Sequence, residues 1–216
     1  MSTGGDGGRV RARVEVRNLF PTPVVVAQVP DHARLDAALA KTILARAAAA
    51  PSTAHSNLGG WQSEWDFERW GGPEGATILA FAQDLATALT VDRLGNRVAP
   101  AWRMNAWANV NRRGEANEFH THPGSFWSGT YWVDDGGAGT DPALGGEFEI
   151  QDPRGVAPAM YRPQWVPRTE GGASMGAAES IRPAAGAMLL FPAWLSHAVR
   201  PYRGEGARIS IAFNLS

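Results

Sequence analysis

From residue 99 to its end this chain is a series of short apolar segments cut by glycine and proline. Five of them, 101–111, 126–133, 146–151, 187–191 and 207–214, have strand length and strand composition. Two helical segments precede them. Residues 31–49 are rich in Ala and Leu with apolar spacing of three and four; Asp31 is placed as the N-cap and Pro51 as the stop. Residues 74–91 fit a second helix. Residues 13–28 begin in alternation, with Val14 and Val16 between charged neighbours, and are then broken by Pro21 and Pro23; they read as an entry strand. Residues 52–72 form a polar, aromatic loop. Many short strands behind two helices predict a mainly β fold with flanking helices, a β-sandwich or jelly roll with a helical face.

No internal repeat and no second domain is visible. Residues 1–12 read as a flexible tail and 13–216 as one domain, long enough to bury a sizeable core. The segment 152–183, rich in Pro, Gly and Ala, is longer than a plain connection. A lid or binding loop and a disordered insertion both remain open for it.

Composition excludes several classes. The net charge is −1 at pH 7 and the charges are scattered, so no basic stripe suits nucleic acid and no polybasic helix suits a membrane surface. No apolar run approaches the roughly 20 residues of a membrane span. The N-terminus lacks the charged and apolar regions of a secretory signal. The expectation is a cytoplasmic protein without nucleic-acid or membrane partners; a homodimer stays open. With no cysteine, a transition metal must be held by histidine and carboxylate, which suits iron, manganese or zinc.

The chemistry-bearing residues lie around the strands. His197 follows the apolar run that ends at Phe191-Pro192, in what reads as a short turn. His120 and His122 are two apart, so in extended chain both point to one face. Arg208 and Ser210 alternate with Ile209 and Ile211. An Arg on the face that carries metal ligands requires an anion, because burying it unpaired is costly. Guanidinium grips a carboxylate through two parallel hydrogen bonds, and the Ser hydroxyl adds a third. Against this stand a satisfied structural histidine and a plain Arg–carboxylate bridge at a strand end. His32, at a helix start, and His55, in a polar loop, read as non-ligands. Arg200 and Arg203 read as solvated. Of the nine tryptophans, Trp102, Trp107 and Trp127, with Asn109 and Asn111, are candidates to line a substrate pocket; core packing is the competing role.

The set His-x-His, then Phe-Pro-x4-His, then Arg-x-Ser eleven residues on resembles the iron(II)- and 2-oxoglutarate-dependent oxygenases. It is most similar to a bacterial and phage subfamily with prolyl-hydroxylase-like folds. The likeness runs from Asn18-Leu-Phe-Pro-Thr-Pro23 through Ser56-Asn-Leu-Gly-Gly-Trp-Gln-Ser63 and Trp107-Ala-Asn109-Val-Asn111. It continues through His120-Thr-His122-Pro-Gly-Ser and Ser128-Gly-Thr-Tyr131, and ends in Arg208-Ile-Ser210-Ile-Ala-Phe-Asn214. The resemblance implies a double-stranded β-helix, Fe(II) and 2-oxoglutarate. It implies His197 as the distal iron ligand, His120 as the proximal one, and Arg208 with Ser210 on the far carboxylate of 2-oxoglutarate. Asn109 and Tyr131, inside matching segments, are expected to contact the co-substrate.

One departure matters. The wider superfamily places Asp or Glu where this chain has His122. His122 itself ligates; or His122 is the proximal ligand and Gly124 leaves a position free, as in halogenase-like His-x-Gly sites; or Glu118, Asp135, Glu147 or Glu149 folds in. The implied activity is hydroxylation of a C–H bond in a small molecule, amino acid or short peptide, using O2 and releasing succinate and CO2. A cupin-like three-histidine enzyme without 2-oxoglutarate, a halogenase-like variant and a metal-free binding module are the rivals.

Overall fold

Strand alternation in the second half of the chain sorts side chains onto two faces, and the architecture follows from that sorting. The computed structural model describes residues 20–155, 164–165 and 177–216. The predicted tail, the start of the predicted entry strand and most of the 152–183 segment lie outside the described residues.

The elements run in this order: β1 Val25–Gln28, α1 His32–Ala49, β2 Asn57–Leu58, β3 Trp61–Gln62, α2 Phe67–Trp70, α3 Gly72–Ala88, β4 Met104–Asn111, β5 Ala116–His120, β6 Trp127–Asp134, β7 Phe148–Gln151, β8 Ala178–Ile181, β9 Ala187–Pro192, β10 His197–Val199 and β11 Arg208–Leu215. A six-stranded sheet has the order β1-β9-β6-β11-β4-β3, and a five-stranded sheet the order β2-β5-β10-β7-β8. All the pairings are antiparallel.

The outer face of the larger sheet carries Ala106, Ala108 and Val110 from β4, Trp127, Tyr131 and Val133 from β6, and Ile209, Ile211 and Phe213 from β11. They pack on Leu39 and Ile43 of α1 and on Ile78, Leu79 and Ala82 of α3. The inner face carries Trp132, Leu189 and Phe191, which form a second cluster with Phe148 and Ile150 of the smaller sheet. The result is a jelly roll with helices on one outer face. No described helix is long and apolar enough to cross a membrane.

The five predicted strands are present with boundaries shifted by a few residues. α3 begins two residues before the predicted start, because Gly72 adopts φ 69° and Pro73 fits the first turn. Asp31 stands at the N-cap of α1, yet with left-handed φ of 51° and no capping bond from its side chain. The segment 52–72 is not one loop: it holds β2, β3 and the single turn α2. β5, β8 and β10 were hidden in the sequence by shortness or by polar residues.

A buried tie fixes α1 to β6. The Tyr131 hydroxyl donates to Asp36 Oδ1 at 2.5 Å, and Asp36 Oδ2 lies 2.6 Å from His32 Nδ1. Tyr131→Phe leaves the buried carboxylate one donor short. We expect a loss of about 1–3 kcal/mol, read by urea unfolding; a variant as stable as wild type would mean that the tie contributes nothing.

Candidate metal centre

Antiparallel pairing of β5 with β10 places His120 directly opposite His197. β7, on the other side of β10, sets Ile150 against His197. His197 is therefore the first residue of a buried central strand, and not a turn residue as the sequence suggested. His122 lies two residues beyond β5, where its backbone N–H donates to the Ala193 carbonyl at 2.9 Å. The turn after β9 thus pins the segment that carries His122.

The three imidazoles converge. Ring centroids are 4.3 Å apart for His120 and His197, 5.0 Å for His120 and His122, and 5.1 Å for His122 and His197. One nitrogen from each ring lies within 4.8 Å of the other two, and among the described residues no carboxylate joins this group. Glu118, Asp135, Glu147 and Glu149 all stand outside this group. Glu149 instead pairs with the exposed Arg200, and Asp135 accepts from the backbone N–H groups of Gly137 and Ala185.

Two of the rings have a defined tautomer. His197 Nδ1 lies 2.8 Å from the Leu195 carbonyl, and His120 Nδ1 lies 2.7 Å from the Glu118 carbonyl. A carbonyl only accepts, so both Nδ1 atoms carry the proton and both Nε2 atoms present lone pairs. Burial pushes the His197 pKa down to about 3 and the His122 pKa to about 4, with neighbouring histidines adding to the shift; His120 is lowered as well, chiefly by burial. All three are neutral donors at neutral pH, the form that binds metal. His55 and His32 stay outside the group. His55 stacks on Trp65 with ring centroids 4.7 Å apart.

Arg208 opens β11 on the inner face and is 2 % exposed. Burial lowers its pKa to about 10, so it remains a cation at neutral pH. Its Nη1 reaches Asn111 Oδ1 only at 3.4 Å, and its Nε has no acceptor in the protein. Room for its side chain comes from Gly146 at φ 76°: a Cβ there would lie 3.3 Å from Arg208 Cδ. A buried guanidinium without a carboxylate partner is a site for an anion.

Histidines and arginine line one cavity of about 490 Å³, measured out to its open mouth. Of the candidate site residues, Trp107, Asn109 and Ser210 also line it. Other predicted residues do not. Tyr131 faces the helices, because alternation along β6 turns Ser128 and Thr130 inward and Tyr131 outward. Trp102 and Trp127 also serve the helical side, their indole N–H groups donating to Thr87 and Thr90 at 2.9 Å each. Asn111 stands beside Arg208, outside the cavity lining. Ser56, Asn117, Ser128 and Thr130, none of them singled out by the sequence, also line the cavity, and the Asn214 side chain lies 2.9 Å from the Ser128 hydroxyl and 3.4 Å from His122 Nδ1. The small polar residues alternating with Trp127 and Tyr131 were the signal available for β6.

A sequence profile of the family described as "Putative 2OG-Fe(II) oxygenase" matches residues 105–214, half of the chain. The chain belongs to this family. It is therefore a 2-oxoglutarate-dependent dioxygenase with Fe(II) and 2-oxoglutarate as cofactors. The cupin-like and metal-free readings fall. No curated protein matches in sequence. Among solved structures, a Pseudomonas putida prolyl-4-hydroxylase is 15 % identical with a TM-score of 0.62, covering 90 % of this chain and 92 % of that one. HygX from Streptomyces hygroscopicus, with nickel and 2-oxoglutarate bound, is 13 % identical with a TM-score of 0.60 over 90 % and 83 %. A Trichoplax adhaerens prolyl hydroxylase in complex with a hypoxia-inducible-factor peptide fragment is 13 % identical with a TM-score of 0.59 over 89 % and 82 %. These likenesses show the fold, a double-stranded β-helix of the prolyl-hydroxylase type.

The lowered histidine pKa values set a pH dependence. In the unfolded chain these rings take up protons below about pH 6.5, whereas in the fold His122 and His197 stay neutral to about 4 and 3. The unfolded state binds more protons in that window. Stability of the metal-free protein is therefore full above about pH 6.5 and falls as pH drops towards 3. Urea midpoints at pH 7, 5 and 4 should decline less steeply in His197→Phe than in wild type; equal slopes would contradict the buried neutral state.

Proposed function

We propose that this oxygenase hydroxylates a C–H bond of a small molecule, an amino acid or a short peptide. In this reading His120, His122 and His197 hold Fe(II), and Arg208 with Ser210 holds the far carboxylate of 2-oxoglutarate. The observation that carries the assignment is the pairing, in one cavity, of three converging neutral imidazoles with a buried cation that lacks a carboxylate. The donor set fits the metal: imidazole nitrogen suits iron, and small side-chain rotations close a 4.8 Å spread onto bonds of about 2.0–2.1 Å. The cation fits the co-substrate, because a fork of N–H donors matches a carboxylate.

Bound Fe(II) and 2-oxoglutarate supply oxidative decarboxylation to succinate and CO2, with one atom of O2 delivered to the substrate C–H bond. The chain does the rest. The Leu195 and Glu118 carbonyls hold His197 and His120 in the ligating tautomer. Arg208 fixes one end of the co-substrate and so aims its keto-acid end at the histidines. Phe148 and Phe191 flank His197, with ring centroids 5.0 and 4.7 Å away, and keep water from its buried side. The Trp107 ring lies 5.8 Å from that of His122, and the ring of the exposed Trp65 lies 6.1 Å from that of Trp107. This aromatic wall, with the neutral Ser56 and Asn117 at the lining, suits an uncharged substrate group that stacks.

The convergence of three imidazoles supports ligation by His122 over the halogenase-like vacancy at Gly124. If all three ligate, His120→Ala, His122→Ala and His197→Ala each lower Fe(II) affinity strongly and abolish succinate formation from 2-oxoglutarate, with the fold kept by circular dichroism. Full iron occupancy in any one of them removes that residue from the site. Arg208→Ala removes charge-assisted bonds worth together roughly 3–5 kcal/mol. Apparent 2-oxoglutarate affinity falls about 100-fold or more with iron binding kept, and Arg208→Lys recovers only part. Unchanged affinity in Arg208→Ala would place the clamp elsewhere.

A further inference from the structure

Two buried side-chain donors among the described residues have no acceptor in the protein: Arg208 Nε and Trp132 Nε1. The anion reading accounts for the first. The second is unexplained, and Trp132 is 0 % exposed.

Its place in the fold is specific. β6 pairs with β11 so that Trp132 lies directly across from Ser210. The register skips there, with Ile209 opposite Asp134 and Ser210 opposite Trp132, so Val133 is an extra residue. Such a bulge re-aims neighbouring side chains and is common beside active sites. Trp132 follows Thr130 on the inner face, and it shares a cluster with Phe148 and Phe191. Ser210, Thr130, Phe148 and Phe191 all line the cavity. Opposed residues on an antiparallel pair have Cβ atoms about 4.5–5.5 Å apart, so the Trp132 side chain leaves the sheet next to that of Ser210; Trp132 itself is packed in the cluster with Phe148 and Phe191 and is not among the lining residues.

An indole nitrogen is a donor only, and a buried donor without an acceptor is destabilising. Phenylalanine would serve an apolar cluster without that penalty. A tryptophan here makes physical sense if the acceptor arrives with a ligand. We propose that Trp132 is a further donor to the far carboxylate of 2-oxoglutarate, joining the Arg208 guanidinium and the Ser210 hydroxyl. A carboxylate offers about four lone-pair sites; an arginine fork takes two, which leaves room for one hydroxyl and one indole N–H. The grip makes the site selective for a dicarboxylic 2-oxo acid, because a monocarboxylic one leaves the arginine fork, the hydroxyl and the indole N–H unmatched. This inference rests on the co-substrate assignment above and adds a contact to it.

The test uses the full chain loaded with Zn(II), a redox-inert and diamagnetic stand-in for iron. Its probes are 2-oxoglutarate and 2-oxobutanoate, which has the same keto-acid end and no far carboxylate. Trp132→Phe keeps the ring and removes the N–H. Expected are a loss of about tenfold in 2-oxoglutarate affinity and unchanged 2-oxobutanoate affinity. In wild type labelled with 15N at the indoles, the Trp132 resonance, identified by its contacts to the Phe148 and Phe191 rings, moves downfield with 2-oxoglutarate and stays put with 2-oxobutanoate. That spectrum decides the matter even if the variant fails to fold. A stationary Trp132 resonance in a wild type that binds 2-oxoglutarate overturns the role of Trp132 and leaves the Arg208 clamp standing. A wild type that does not bind 2-oxoglutarate overturns the clamp and this inference together.

Discussion

A buried guanidinium that Asp135 and Glu147 attract without pairing with it is the constraint on which the rest of this structure depends. Arg208 is charged at neutral pH, almost wholly buried, and bonded to the protein only through a long contact with Asn111. Left alone, such a charge costs several kcal/mol. β11 and β4 hold it by pairing Arg208 with Asn111, and Gly146 gives it room by lacking a side chain. These features lower the cost of keeping the cation in place without neutralising it. They make sense as preparation for an anion.

The histidines answer a different need with the same scaffold. The β5–β10 register fixes His120 against His197, and the bond from His122 N–H to Ala193 brings the third ring in from outside the strand. All three are neutral, so the cluster offers donor nitrogens without charge. Where the wider superfamily adds a carboxylate, this cavity has a third imidazole, and its fixed charge comes from Arg208 alone among the residues that line it. In the proposed reading, a dianionic co-substrate would balance both the arginine and a divalent metal. Charge bookkeeping of this kind explains how a His-x-His pattern is compatible with membership of an oxygenase family.

Much of this was legible in the sequence, and the failures have physical causes. Arg208 and Ser210 were found because a clean alternation with Ile209 and Ile211 fixes which residues share a face. The histidines were found because two of them are spaced for one face and the third follows a buried run. Tyr131 was misplaced because nearly every position of β6 is buried, so hydropathy does not reveal which alternate set faces the cavity. The inward set is Ser128, Thr130 and Trp132. Trp102 and Trp127 have the aromatic character of a pocket, yet they anchor the end of α3 through Thr87 and Thr90. His197 was read as a turn residue because β10 is three residues long; only its two neighbouring strands make it a strand.

The central claim is that one cavity binds a divalent iron through imidazoles and 2-oxoglutarate through both the metal and Arg208. Anaerobic titration of the protein with Fe(II) and 2-oxoglutarate, followed by visible absorption, tests it most directly. The account predicts a weak charge-transfer band that needs both components, saturates at one equivalent of each, and is not formed by His197→Ala. A protein that takes up Fe(II) and gives no band with excess 2-oxoglutarate would contradict it.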